Sequence, residues 1–213
     1  MKRRKKPAGG QTPPRSLPDT RSTKKTDVAV AAPAAPAAPA APTAVRSARA
    51  PVDLSRALLD AWRVNERINQ ELLSLVAPHI WRAFPASSKR RNIATSFAHI
   101  HNVRCMRIRM SHSSVAVPER LERAELTPDD ARKALAESAE AMAALIQLGL
   151  DAGGHVPNHR PDVVALVCGS IVHEAHHRGQ ISHWCRELGA PQTPEQQLKL
   201  WEWDKLHKMV NRD

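Results

Sequence analysis

The sequence predicts an all-α protein, a four-helix bundle with a short extra C-terminal helix. Three observations carry this. Four long segments repeat their apolar residues at the 3.6-residue period of an amphipathic helix. Their ends coincide with helix punctuation, Asp, Thr or Pro at the starts and Gly at two of the stops. No stretch carries the strict alternation of a half-buried strand.

The chain has 213 residues, and residues 1–50 differ from the rest. They open with Lys2, Arg3, Arg4, Lys5 and Lys6 and close with an Ala-Ala-Pro run over 31–42. Recurrent proline breaks helices, and few large side chains are available to bury, so this segment is expected to be a disordered basic tail. It holds eleven Lys/Arg and two Asp, a net charge of +9 out of the chain's +11, which leaves +2 for residues 51–213. The folded part therefore lacks the electrostatic footprint of a nucleic-acid binder, while the tail can hold polyanions weakly and nonspecifically. Its broken, weakly apolar composition does not make a secretory signal.

Asp53 caps a first helix running to about Ala77, with Leu54, Leu58, Leu59, Trp62, Ile68, Leu72, Leu73 and Val76 at helical spacing. A loop with Pro78, Pro85, Ser87 and Ser88 follows. A second helix spans Lys89 to Met110. On it Ile93, Phe97 and Ile100 cluster, and His99, Val103, Met106 and Met110 extend the arc on one side. His101 falls on the opposite flank near Cys105 and Ile108, so His99 is the better inward imidazole. The 17 residues from Ser111 to Thr127 leave room for a non-sequential crossover. Thr127-Pro128-Asp129-Asp130 starts a third helix, whose light face is Leu135, Ala139, Met142, Ile146 and Leu150, and Gly153-Gly154 ends it. Pro161 opens the fourth, which stops at Gly189. Thr193-Pro194-Glu195-Gln196 reads as a capping box for a short fifth helix holding Trp201, Trp203 and Leu206.

No apolar run approaches the roughly 18 residues of a membrane span. Cys105, Cys168 and Cys185 are odd in number and widely spaced, which argues for a reducing, cytoplasmic setting over a disulfide scaffold. No Cys-x-x-Cys pair exists for a thiolate zinc site. Cys168 falls little more than a turn before His173 and reads as a small apolar filler.

The fourth helix carries the chemistry. Val163, Leu166, Ser170, His173, His177, Ile181, Trp184 and Leu188 form one stripe, and two of its members are histidines spaced i,i+4. A lone histidine is most simply a satisfied core or surface side chain. Two imidazoles on one apolar stripe need partners, and a divalent metal satisfies both. His99 supplies a third ligand, and three protein ligands leave positions open for water or substrate, the mark of a catalytic site. Imidazoles suit zinc, nickel or iron. The same letters read H-E-x-x-H over His173, Glu174 and His177, the metallopeptidase pattern with Glu174 as general base. His183 stands where its extended form places a further ligand, but Gln180 occupies the position of the required glycine. Glu195 or Glu202 would be the ligand in the glutamate version.

The run Ser96-Phe97-Ala98-His99-Ile100-His101-Asn102-Val103-Arg104, the motif from His173 through Arg178-Gly179-Gln180 to Trp184, and Arg186-Glu187-Leu188-Gly189 resemble the DinB-like metalloprotein superfamily. The similarity covers residues 53–207 and is most specific at His-x-x-x-His-Arg-Gly-Gln. It implies an up-down-down-up bundle, a bacterial source, and metal ligands at His99, His173 and His177, with His176 a neighbour only. It implies a frequent homodimer, for which a face bearing Trp62 or Trp81 is available. It also implies enzymes that use low-molecular-weight thiols (bacillithiol or mycothiol) on small-molecule substrates. Three functions therefore stay open. One is a thiol-dependent transferase, another a metal-dependent hydrolase or peptidase using Glu174. The third is a non-catalytic helical metal-binding or interaction module.

Overall fold

The computed structural model describes residues 51–122 and 125–210. The basic segment 1–50, expected to be a disordered tail, lies outside the described residues. Among the described residues six helices form: α1 Leu54–Ser74, α2 Ile93–Met110, α3 Pro128–Asp151, α4 Val163–Glu187, α5 Pro194–Lys199 and α6 Trp203–Val210. A single 3-10 turn spans Pro78–Ile80, and no strand occurs among the described residues.

The helix starts follow local side-chain chemistry. Asp53 accepts from the backbone N–H groups of Ser55 and Arg56 at 3.0 and 3.1 Å. Thr127 and Asp130 close a reciprocal capping box ahead of α3, and Thr193 and Gln196 do the same ahead of α5. The second helix begins at Ile93, not Lys89. Asn92 accepts from the Thr95 backbone while Thr95 Oγ1 accepts from the Asn92 N–H, both at 2.9 Å, and this box leaves Lys89-Arg90-Arg91 outside. Likewise α4 starts after Asp162, which caps Ala165, and not at Pro161. The expected single C-terminal helix is two. A turn at Leu200–Glu202 separates α5 from α6, where Leu206 packs on Val64 and Ile68 of α1.

The four long helices touch in the ring α1–α3–α2–α4, so the sequential pair α1 and α2 stand on opposite corners. The 17-residue link from α2 to α3 spans an edge of this ring. Side-chain register sets the directions. Trp62 Nε1 donates to Ala139 O and Gln70 to Arg132 O, so α1 and α3 are antiparallel. His101 meets Ala134 while Arg104 meets Leu135 and Ser138, so α2 and α3 run the same way. Arg104 meets Glu174 and Arg107 meets Ser170, so α2 and α4 are antiparallel.

Two large apolar clusters fill the interior of the bundle, beside the small one under α6. One holds Leu72, Trp81, Ile93, Phe97, Ile100, Leu135, Ile181 and Trp184. The other holds Trp62, Ile108, Met142, Leu145, Ile146, Val163, Leu166 and Val167. Every long helix carries buried polar residues between the clusters: Asn65 and Asn69 on α1, His101 and Arg104 on α2, Ser138 on α3, Ser170, Glu174 and His177 on α4. Where α3 ends, Gly149 lets the chain fold back tightly. A Cβ there would sit 2.5 Å from Val156 Cγ2 and 3.0 Å from Val163 Cγ2.

Trp62 and Trp81 belong to the interior. They are 0% and 4% exposed, and their indole N–H groups donate to the carbonyls of Ala139 and Leu126. Neither offers a dimer face, because each has its apolar body in the core and its one donor satisfied.

Candidate metal centre

Beside this polar layer, α2 and α4 bring three histidines together. There His99, His173 and His177 bring one ring nitrogen each to within 4.8 Å of one another. His173 and His177 are one turn apart on α4, and their Nε2 atoms are separated by 3.2 Å. His99 comes from α2, its ring centroid 4.7 Å from that of His177 and 5.3 Å from that of His173. The inward stripe on α4 sets this. Val163, Leu166, Ser170, His177, Ile181 and Trp184 are all buried, and His173 is half-buried.

The donor set fits a divalent cation. The Nδ1 of His177 donates to Gln180 Oε1 at 2.9 Å, which fixes the tautomer and leaves Nε2 with a bare lone pair. Two imidazole nitrogens at about 2.0–2.1 Å from one tetrahedral ion stand roughly 3.3 Å apart, close to the observed 3.2 Å. Burial lowers the pKa of both histidines. For His173 the Arg107 and His176 charges lower it further. For His177 the hydrogen bond it donates to Gln180 opposes the burial, and His173, His176 and Arg91 add to the burial. Both imidazoles are thus biased toward the neutral form that binds metal.

Glu174 follows His173 in the chain but joins a different set of partners. Its Oε1 accepts from Arg104 Nε at 2.8 Å. Its Oε2 accepts from Arg104 Nη2 at 2.7 Å, Asn65 Nδ2 at 2.6 Å and Asn69 Nδ2 at 2.7 Å. The two asparagine oxygens in turn accept from Arg178 Nη1, each at 2.8 Å. Arg104 also pairs with Glu66 Oε2 at 2.7 Å, donates to Leu135 O, and stands 5.0 Å from the centre of the Trp62 ring. Two arginines and two glutamates make this buried network neutral. Burial alone would raise the pKa of Glu174, but Arg104 and the two asparagines reverse that and hold the carboxyl below the usual range. Glu66, with less help, is raised by burial in spite of Arg104. The carboxylate at the H-E-x-x-H position is therefore ionised and surrounded by donors.

A family model described as the DinB family matches residues 56–205, a span that holds the whole constellation. The chain belongs to the DinB family. No match was found among curated proteins or among solved structures.

In this DinB family chain the other candidate ligands fall outside the trio. His101 is fully buried, with ring nitrogens 2.8 Å from the carbonyl oxygens of Ala134 and Glu119 and Nε2 3.3 Å from Cys105 Sγ. His176 is exposed beside His177. His183 is exposed and 3.9 Å from Glu187. Among the described residues neither Glu195 nor Glu202 joins a group of ligands that could hold a metal. Cys168, expected as a small apolar filler, is exposed, because it lies some 140° around α4 from His173. The three cysteines are unpaired, and among the described residues no helix is long and apolar enough to cross a membrane.

Periodicity and motif spacing do not single out Asn65, Asn69, Arg104, Gln180 or Arg107. A signal exists for the first three. Positions 65 and 69 continue the inward spacing of Trp62 and Leu72, and Arg104 continues that of Phe97 and Ile100. Polar residues inside an apolar stripe mark a buried network.

Proposed function

We propose that this chain is a divalent-metal-dependent enzyme that uses a low-molecular-weight thiol to transfer a group to or from a small molecule. The observation that carries the reading is the trio His99, His173 and His177, neutral imidazoles from two helices with no protein carboxylate among the ligands. A zinc-, nickel- or iron-type cation held there would lower the pKa of a coordinated thiol and present it as thiolate. The protein's part is to hold and orient. The three imidazoles would bind the ion, Gln180 sets the His177 tautomer, and the arginine–glutamate network fixes α4 behind them. The unpaired cysteines suit a reducing cytoplasm.

The peptidase alternative needs Glu174 to take a proton from water. A carboxylate that already accepts four hydrogen bonds and is held ionised by Arg104 is a weak base for that task. The thiol reading is preferred for this reason.

The test is metal content by elemental mass spectrometry on the full chain and on His177→Ala, followed by Co²⁺ substitution and titration with 2-mercaptoethanol. Near-stoichiometric metal in the parent, its loss in the variant and a sulfur-to-cobalt charge-transfer band are expected. A parent that takes up no zinc, nickel, iron or cobalt refutes the metal reading. A Co²⁺ protein with no sulfur band refutes the thiol step.

A further inference from the structure

Two arginines stand one turn apart on α2 and differ in their partners. Arg104 is buried and grips Glu174 through its Nε and Nη2 edge. Arg107 is half-buried. Among the described residues it makes no ion pair with any carboxylate. Its Nη1 donates to Ser170 Oγ and, at 3.5 Å, to Leu166 O, and its Nη2 reaches Gly169 O at 3.5 Å. The Nε hydrogen has no protein acceptor among the described residues, and the one on-edge contact, from Nη2, is long. Hydroxyl and carbonyl dipoles hold this guanidinium in place, and the carboxylate that acts on it from a distance, Glu174, is already paired with Arg104.

The partner Ser170 ties Arg107 to the stretch of α4 that leads into the histidine pair. Ser170 lies three residues before His173 on the inward stripe of α4, and Arg107 lies two turns after His99 on α2. Three neutral imidazoles would leave a divalent ion with its full charge, and Arg107 adds a guanidinium without an ion pair at Ser170, three residues before His173 on α4. A ligand that approaches there is favoured if it is anionic. The planar Nε–Nη2 edge matches a carboxylate in two parallel hydrogen bonds, the geometry Arg104 makes with Glu174.

We propose that Arg107, positioned by Ser170, is the specificity residue that receives a carboxylate of the ligand reaching the open side of the three-histidine centre. This rests on the metal reading above and adds a ligand class to it: a thiol or acceptor substrate that bears a carboxylate.

The experiment uses the full chain loaded with Co²⁺ and two probes, 3-mercaptopropionate and 2-mercaptoethanol, with binding read from the sulfur-to-cobalt band and each affinity expressed per thiolate. In the parent the carboxylate thiol is expected to bind about tenfold or more tighter than the neutral one. Arg107→Gln is expected to abolish that preference and leave the 2-mercaptoethanol affinity and the Co²⁺ stoichiometry unchanged. Arg107→Lys, which keeps the charge but not the fork, is expected to keep part of it. Ser170→Ala serves as a second variant that leaves the guanidinium present but untethered, and a partial loss is expected. A preference equal in parent and Arg107→Gln overturns the proposal, as does no preference in the parent. A parent that takes up no Co²⁺ overturns the metal reading and this proposal with it, so the two failures are distinguishable.

Discussion

Replacing Glu174 by Gln separates a structural carboxylate from a catalytic one. All four contacts on this carboxylate come from donors, three on Oε2 and one on Oε1. A glutamine can keep its carbonyl at the Oε2 position. Its amide then points hydrogens at Arg104 Nε–H, a donor against a donor. The buried Arg104 is left with Glu66 alone, and the neutral balance of the layer is lost. Breaking a buried ion pair by removing one partner typically costs about 3–5 kcal/mol. The retained acceptor places Glu174→Gln near the lower end, about 3 kcal/mol. For a domain of this size roughly 2–4 °C accompany each kcal/mol, so the melting temperature should fall by about 6–12 °C. Thermal unfolding by circular dichroism measures this, with metal content of the same samples as the second readout. Metal should still bind, since none of the three ligands is touched. A variant that melts within about 2 °C of the parent, retains metal and loses activity would refute the network argument and restore Glu174 as a proton-transfer residue.

Three further outcomes follow from the same geometry. Gln180→Ala removes the acceptor on His177 Nδ1, and metal affinity, measured by competition with a chromophoric chelator, should weaken about 10–100-fold while the fold is kept. The metal-free protein should lose stability as pH falls through the ordinary histidine range near 6.5. His173 and His177 titrate lower when folded, so the unfolded chain binds more protons in that window. Glu174, also lowered, adds stability that is lost at more acidic pH, as its folded value is reached. A melting temperature flat from about pH 7.5 to 5.5 would contradict the histidine assignment. Gly149→Ala drives a methyl into Val156 and Val163, and a loss of about 1–3 kcal/mol is expected in urea unfolding. An unchanged midpoint would show that the α3–α4 corner relaxes freely.

What is legible in the sequence is periodic. The stripe on α4 names His173 and His177 because a 3.6-residue repeat carries a side chain's facing with it, whereas on α2 the expected facing is reversed: His101 is the fully buried imidazole, His99 is half-buried, and Met106 and Met110, placed on the same arc as His99, are exposed. His99, His173 and His177 are the three histidines whose ring nitrogens the fold brings together. Less legible is anything that depends on which helix lies beside which. Arg104 reads as one more cation on a basic helix until α4 is placed antiparallel beside α2, and Glu174 reads as a peptidase base until α1 supplies two asparagines. Short-range differences have short-range causes. The start of α2 falls later than its basic flank suggests because Asn92 and Thr95 form the cap, and the C-terminal helix divides at a turn with no glycine or proline to announce it.

The two halves of the motif serve one another. His173 and Glu174 are consecutive, so the rotation of α4 that aims one imidazole at His99 also delivers the carboxylate to Arg104. Arg178 follows His177 and closes the same layer through Asn65 and Asn69. An apolar stripe alone permits a helix to roll by several degrees, since methyl groups pack in many ways at similar energy. A charged layer does not, because its donors and acceptors already stand at hydrogen-bond distance and any roll breaks several contacts at once. The imidazoles are thereby held on the open side by contacts made behind them. It follows that damage to the layer should loosen the metal geometry even where metal is retained. A Co²⁺-loaded Asn65→Leu/Asn69→Leu variant should show broadened or shifted d–d bands at unchanged stoichiometry. Bands identical to the parent would mean that the imidazoles are aimed by their own packing, and that the network contributes stability alone.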